Sequence, residues 1–267
     1  MKEGEEEEGG EGPAGHRSAG CVGVAGGGNC CACLMVQRQK PELGNNTNKK
    51  KVIVTGFGPF GEHAVNSSWV AVQELERLGL GEAVDLCVRE MPVEYQAVEH
   101  LVPSLWKEHQ PQLVVHVGVS GLATTVTLEQ CGHNKGYERL DNCNYCPHSH
   151  CCIESGPDCI KSVLDMDTVC KRVNDSDIGV AVSVSKDAGR YLCDYIYYTS
   201  LYLGHGRSAF IHVPPLKKPY SSQDLGKALQ AVIQEMLNLL EMDHTEEEEY
   251  KRSDHCKHKH QHQHDHQ

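Results

Sequence analysis

Between residues 51 and 242 the chain alternates two patterns. Short β-branched apolar runs are followed by stretches whose apolar residues recur every three or four positions. The first pattern marks strands and the second amphipathic helices. Lys51 to Gly56 reads as a strand stopped by glycine. Asn66, Ser67 and Ser68 can cap a helix carrying Val72, Leu75 and Leu78. Ala83 to Met91 alternates through Val84, Leu86 and Val88 as a second strand. Glu94 to His109 carries the stripe Val98, Leu101 and Leu105, with Pro103 expected to kink or limit it. Leu113 to Val119 is a fully apolar strand, and Thr124 to Cys131 reads as extended. Residues 133–160 are polar, Cys-rich and loop-like. Beyond them the pattern predicts a helix over Val163 to Val173, a strand over Ile178 to Ser185 and a helix over Arg190 to Leu203. A strand over Ser208 to Val213 and a long amphipathic helix over Ser222 to Met242 complete it.

Apolar strands alternating with helices imply an α/β domain with a largely parallel central sheet. Ligands bind beyond the C-terminal ends of such strands. That directs attention to 56–61, 118–121, 185–190 and 212–215.

Composition sharpens the boundaries. The 267 residues are 39% apolar, but 51–242 hold 87 apolar residues, or 45%. Residues 1–50 carry 11 of the 26 glycines, and 244–267 carry seven histidines. Both ends are expected to be disordered extensions, acidic and Gly-rich at 1–50 and Glu/His-rich at 243–267. Cys30, Cys31 and Cys33 in the first, and the histidines of the second, are expected to be incidental rather than ligands.

Net charge is −12, with −8 inside 51–242, which argues against nucleic-acid binding. No stretch approaches the ~20 apolar residues of a membrane span. The opening Lys2, Glu3, Glu5 to Glu8 does not resemble a secretory signal. Fourteen cysteines without a signal suit a reducing, cytoplasmic compartment. A monomer without a cofactor or resident metal is expected.

Three residues can do chemistry together. Cys193 falls in the first turn of a predicted helix, where unpaired N–H groups favour a thiolate and can hold an oxyanion. His212 leaves a strand into Pro214-Pro215, at the ligand edge, and can activate a thiol. Glu129 can fix that imidazole's tautomer. Each also has a bland reading: core cysteine, strand-end histidine, surface glutamate. His116, inside an apolar strand, reads as a satisfied core histidine. The turn Gly56-Phe57-Gly58-Pro59-Phe60-Gly61 fits the glycine spacing of a dinucleotide loop. Its two phenyl rings would crowd a pyrophosphate, and no acidic strand end follows. An apolar pocket for a flat ligand, walled by Phe57 and Phe60, is the better reading.

The segments Thr55 to Gly61, Thr127 to Glu129, Ala188 to Cys193 and His212 to Pro215, in that order, resemble the pyroglutamyl-peptidase I family, in its vertebrate-like form. The resemblance covers about residues 51–242. It implies a three-layer α/β/α sandwich and a cysteine exopeptidase that removes N-terminal pyroglutamate from peptides. It also implies Cys193 as nucleophile, His212 as general base and Glu129 as orienting acid, with Phe57 and Phe60 packing on the pyrrolidone ring. Two segments depart from bacterial members. Gly118-Val119-Ser120-Gly121 lacks their glutamine, and Cys143, Cys146, Cys151 and Cys152 stand in an insertion. With His148 and His150 these imitate a zinc site, but only one C-x-x-C pair exists, so ordinary thiols are expected. Two alternatives remain: a non-catalytic binding module working through its tails, and a cysteine hydrolase for another small acyl group.

Overall fold

The computed structural model describes residues 49–61 and 64–261, with side chains described as far as Met242. The N-terminal extension, with Cys30, Cys31 and Cys33, and residues 262–267 lie outside the described residues.

The strands are β1 (Lys50–Phe57), β2 (Val84–Met91), β3 (Leu113–Val119), β4 (Val126–Glu129), β5 (Cys131–His133), β6 (Cys159–Lys161), β7 (Val182–Ser185) and β8 (Ser208–Val213). The helices are α1 (Ser67–Leu78), α2 (Tyr95–His109), α3 (Met166–Asp175), α4 (Leu192–Leu203) and α5 (Ser222–Gln261). Six strands form one sheet in the order β2-β1-β3-β8-β4-β7, and β5 pairs with β6 in a separate ribbon. The four strands β2, β1, β3 and β8 run parallel. β4 is antiparallel to β8 and parallel to β7.

Alternation along the strands builds two cores. Val52, Val54, Val115, Val117, Ala209 and Ile211 face one way and meet Val72, Leu75, Val169, Val232 and Ile233 of α1, α3 and α5. On the other face Phe57 and Phe210 meet Val98 and Val102 of α2 and Tyr195, Ile196 and Leu201 of α4. The architecture is therefore the expected α/β/α sandwich around a mixed, mostly parallel sheet.

Four local expectations are corrected. Helix α2 runs through Pro103 to His109, since a proline removes one ladder bond while buried Val98, Val102 and Leu105 hold both sides. Helix α3 starts at Met166, where the Asp165 side chain accepts from Asp167 N. Helix α5 continues past Met242 to Gln261, because no glycine or proline stands between 243 and 261 to stop it. The 133–160 loop is closed at its base by the β5–β6 ribbon, whose three-residue strands are too short to show a period. Within the loop, buried side chains replace regular structure. The Asn134 carboxamide oxygen accepts from Cys152 N (3.1 Å) and Ile153 N (2.9 Å). The Asp141 carboxylate accepts from Tyr95 N, Cys143 N and Tyr145 N at 2.8–3.0 Å.

Candidate active site

Cys193 is the second residue of α4, and no side chain caps this helix end. The first-turn N–H groups around its sulfur are thus left to a ligand. β3 passes beneath it without a side chain: a Cβ on Gly118 would lie 2.8 Å from Cys193 Sγ and 2.7 Å from the Phe210 ring.

His212 and Glu129 meet across the β4–β8 ladder. Glu129 is paired with Phe210 and Thr127 with His212. Directly opposed residues share a face, so Glu129 and His212 are diagonal neighbours on the α4 side. His212 Nδ1 lies 2.9 Å from Glu129 Oε1. Glu129 is fully enclosed, 2% exposed, which rules out the bland reading of a surface carboxylate. Its backbone carbonyl is tied to the Tyr197 hydroxyl at 2.7 Å.

With Nδ1 taken by Glu129, the other ring nitrogen is left for the Cys193 sulfur, whose charge acts on this histidine. Burial works against charge on His212. The Cys193 sulfur and then the Glu129 carboxylate outweigh it and push its pKa up to about 10. Thiol, imidazole and carboxylate in series can perform acyl transfer.

Two cavities meet at Cys193. One, of about 240 Å³, is lined by Phe57, Phe60, Asn66, Val93, Val119, Gly121, Arg139, Tyr191, Leu192 and Cys193. The other, of about 670 Å³, is a more polar cleft that includes Ser120, Thr127, Glu129, Ser185, Asp187, Arg190, Cys193 and His212. Val119, Arg139, Tyr191 and Cys193 belong to both. All five residues singled out in the sequence thus line one or both cavities.

The aromatic turn is anchored to α1. Phe57 N donates to Ser68 Oγ at 3.0 Å, and the Asn66 amide donates to Gly58 O at 3.0 Å while its oxygen caps Ser68 N. Gly56 serves this approach, since a Cβ there would sit 2.8 Å from Trp69 Cα. Of the segment that departs from bacterial members, Val119 and Gly121 line the apolar pocket and Ser120 the cleft.

Sequence reasoning missed Arg139 and Tyr191. The Arg139 guanidinium lies 4.3 Å from the centre of the Tyr191 ring, and the pair stands at the junction of the cavities. Nothing local marks Arg139, which is brought in by the loop that Asp141 organises. Also missed was Asp194, fully buried next to Cys193. Burial raises its pKa to about 6 against the opposing pull of Tyr137, His133 and Arg190. His116 is a core residue as expected, but it is only half satisfied: its Nδ1 lies 2.7 Å from Thr55 Oγ1, while its buried Nε2 makes no hydrogen bond. Cys143 is exposed, and Cys146, Cys151 and Cys152 are half-buried.

The pyroglutamyl peptidase family model matches residues 50–236. Human pyroglutamyl-peptidase 1 is 68% identical over 193 residues, covering 72% of this chain and 92% of its own length. Pyrrolidone-carboxylate peptidase of Thermococcus onnurineus is 33% identical, covering 68% of this chain and 94% of that protein. The solved structure of pyrrolidone carboxyl peptidase from Thermococcus litoralis shares the fold, with a TM-score of 0.64 at 24% identity, over 73% of this chain and 96% of that one. The chain belongs to the pyroglutamyl peptidase family.

Proposed function

We propose that this protein is a cysteine exopeptidase that hydrolyses the N-terminal pyroglutamyl residue from peptides. The observation that carries the reading is the position of Cys193, in the wall shared by a small apolar pocket and an open polar cleft.

In this reading the pyrrolidone ring enters the 240 Å³ pocket against Phe57 and Phe60, and the peptide lies along the cleft. Pyroglutamate is a neutral lactam. An N-terminal glutamine or proline would bring an ammonium group into the same apolar walls, where an unpaired charge is expensive. Selection therefore works by rejection as well as fit.

The Cys193 thiolate attacks the pyroglutamyl carbonyl carbon, and the oxygen takes the negative charge beside the N–H groups of the first turn of α4. His212, protonated at the start, gives its proton to the leaving amine as the C–N bond breaks. A thioester to Cys193 remains. His212 then takes a proton from water, the resulting hydroxide attacks the thioester, and pyroglutamate leaves as the thiolate–imidazolium pair is restored. Glu129 holds His212 through Nδ1 so that the other nitrogen serves the sulfur.

The family membership and the absence, among the described residues, of a helix able to cross a membrane accord with this activity. Fourteen cysteines in a chain whose central domain is large enough to bury its own core support a cytoplasmic setting. A single chain suffices in this reading, since every residue assigned a role comes from one sheet and its flanking helices.

The test is release of pyroglutamate from a pyroglutamyl fluorogenic amide by wild type and Cys193→Ala, beside prolyl and glutaminyl amides. Wild type is expected to cleave the pyroglutamyl amide alone, with Cys193→Ala at least about a thousandfold slower. Normal turnover by Cys193→Ala removes the nucleophile assignment, and equal cleavage of the prolyl amide removes the substrate assignment.

A further inference from the structure

The β5–β6 ribbon lies outside the six-stranded sheet and lines neither cavity. Its pairing sets His133 opposite Cys159 and Cys131 opposite Lys161. Opposed residues share a face, as do residues two apart on a strand. Cys131, His133 and Cys159 consequently project to one side, and their two sulfurs and one ring nitrogen lie within 4.8 Å of one another. Among the described residues this is the group of three ligand-type side chains whose donor atoms converge. The Cys143–Cys152 insertion, whose spacing imitates a zinc site, is not part of it.

Tetrahedral zinc with sulfur and nitrogen ligands holds those atoms roughly 3.5–3.8 Å apart. Closing the group from 4.8 Å asks for about 1 Å of side-chain movement, and Cys159 is exposed and able to turn.

The surroundings suit a bound imidazole. A metal-ligating histidine usually presents its other ring nitrogen to a carboxylate. His133 Nδ1 is buried and makes no hydrogen bond, yet it stands 3.5 Å from Asp194 Oδ1. That carboxylate also accepts from the His133 backbone N–H at 3.3 Å and from the Tyr137 hydroxyl at 2.8 Å. It is thus fixed where it can hold the Nδ1 proton and leave the second ring nitrogen for a cation. Two thiolates and a neutral imidazole balance a doubly charged ion. Sulfur donors select zinc or another thiophilic ion over magnesium or calcium, which prefer oxygen.

We propose that Cys131, His133 and Cys159 form a zinc-binding site, with Asp194 as the outer partner of His133 and the fourth position open to solvent beside Cys159. The site is separate from the reaction but adjoins its framework. Cys131 is two residues from Glu129. Its thiol donates to Lys186 O at 3.2 Å, at the base of the segment that lines the cleft. Asp194 follows Cys193 directly.

The test uses the full chain, reduced and metal-free, in a Cys193→Ala background so that the nucleophile's sulfur cannot contribute. Titration with Co2+ reads the thiolate-to-cobalt charge-transfer band and its displacement by Zn2+. The expected result is loss of one such site per chain on adding Cys159→Ser or His133→Asn, and its retention on adding Cys151→Ser. An unchanged band and stoichiometry in both the Cys159 and His133 variants would overturn the proposal. In wild-type protein, saturating zinc is also expected to slow alkylation of Cys159 by iodoacetamide about tenfold or more, read by peptide mass spectrometry. Alkylation at the same rate with and without zinc would overturn it as well.

Discussion

His116 and His212 stand on adjacent strands, two rungs apart on the same face of one sheet, and both are buried. Their protonation is not the same. Burial pushes the His116 pKa down to about 3, with only the Thr55 hydroxyl for company. His212 pays the same penalty but is driven to about 10 by the Cys193 sulfur and Glu129. What separates the two histidines is the company each keeps, a sulfur and a carboxylate for His212 and a hydroxyl for His116, not the depth. The strands beside His116 set Thr55 and Phe210 opposite it, whereas antiparallel β4 delivers a carboxylate to His212.

Removing the partner is expected to turn the second histidine into the first. Glu129→Gln should lower kcat on a pyroglutamyl amide on the order of a thousandfold. It should also draw the alkaline limb of the pH–rate profile downward, since His212 loses support for its proton. An unchanged limb would show that the sulfur alone holds the charge. Gly118→Ala tests the other partner. Its methyl would enter the space of Cys193 Sγ, and displacing the nucleophile should cost on the order of a hundredfold in kcat, measured beside a circular-dichroism spectrum unchanged from wild type.

The contrast also predicts a pH dependence of stability. The pKa of His212 is raised above its ordinary 6.5 to about 10. Its contribution is therefore complete below about pH 6.5 and disappears as pH rises through about 10, by at most ~1.4 kcal/mol per unit. Urea midpoints of wild type and Glu129→Gln should differ most near pH 6 and converge above pH 10. The smallest effect belongs to His116→Gln. It removes one buried hydrogen bond, worth ~1 kcal/mol of stability by urea unfolding, and should leave kcat within about twofold.

Much of this was legible in the sequence. β1, β3 and β8 announce themselves as β-branched runs, and Asn66 as a cap, because these signals are local. Cys193, His212 and Glu129 were legible as separate weak signals and as one constellation only through the resemblance. Strand direction was not legible: nothing in Val126 to Glu129 says that β4 runs against β8, although that reversal brings Glu129 beside His212. Nor did composition reveal Arg139 or the converging Cys131, His133 and Cys159. Their placement depends on how Asp141, Asn134 and a three-residue ribbon fold a polar stretch.

The strand order has a consequence for how the molecule is made. β8 is the last strand to leave the ribosome, yet it lies between β3 and β4. Until Ser208 to Val213 emerges, β2-β1-β3 and β4-β7 are two fragments with an unfilled gap between them, and their pairing must wait for contacts far apart in the chain. The same insertion brings His212 to Glu129 and Cys193. A nascent chain therefore carries its thiol before it carries the means to activate it, and completion of the sheet and onset of reactivity are a single event.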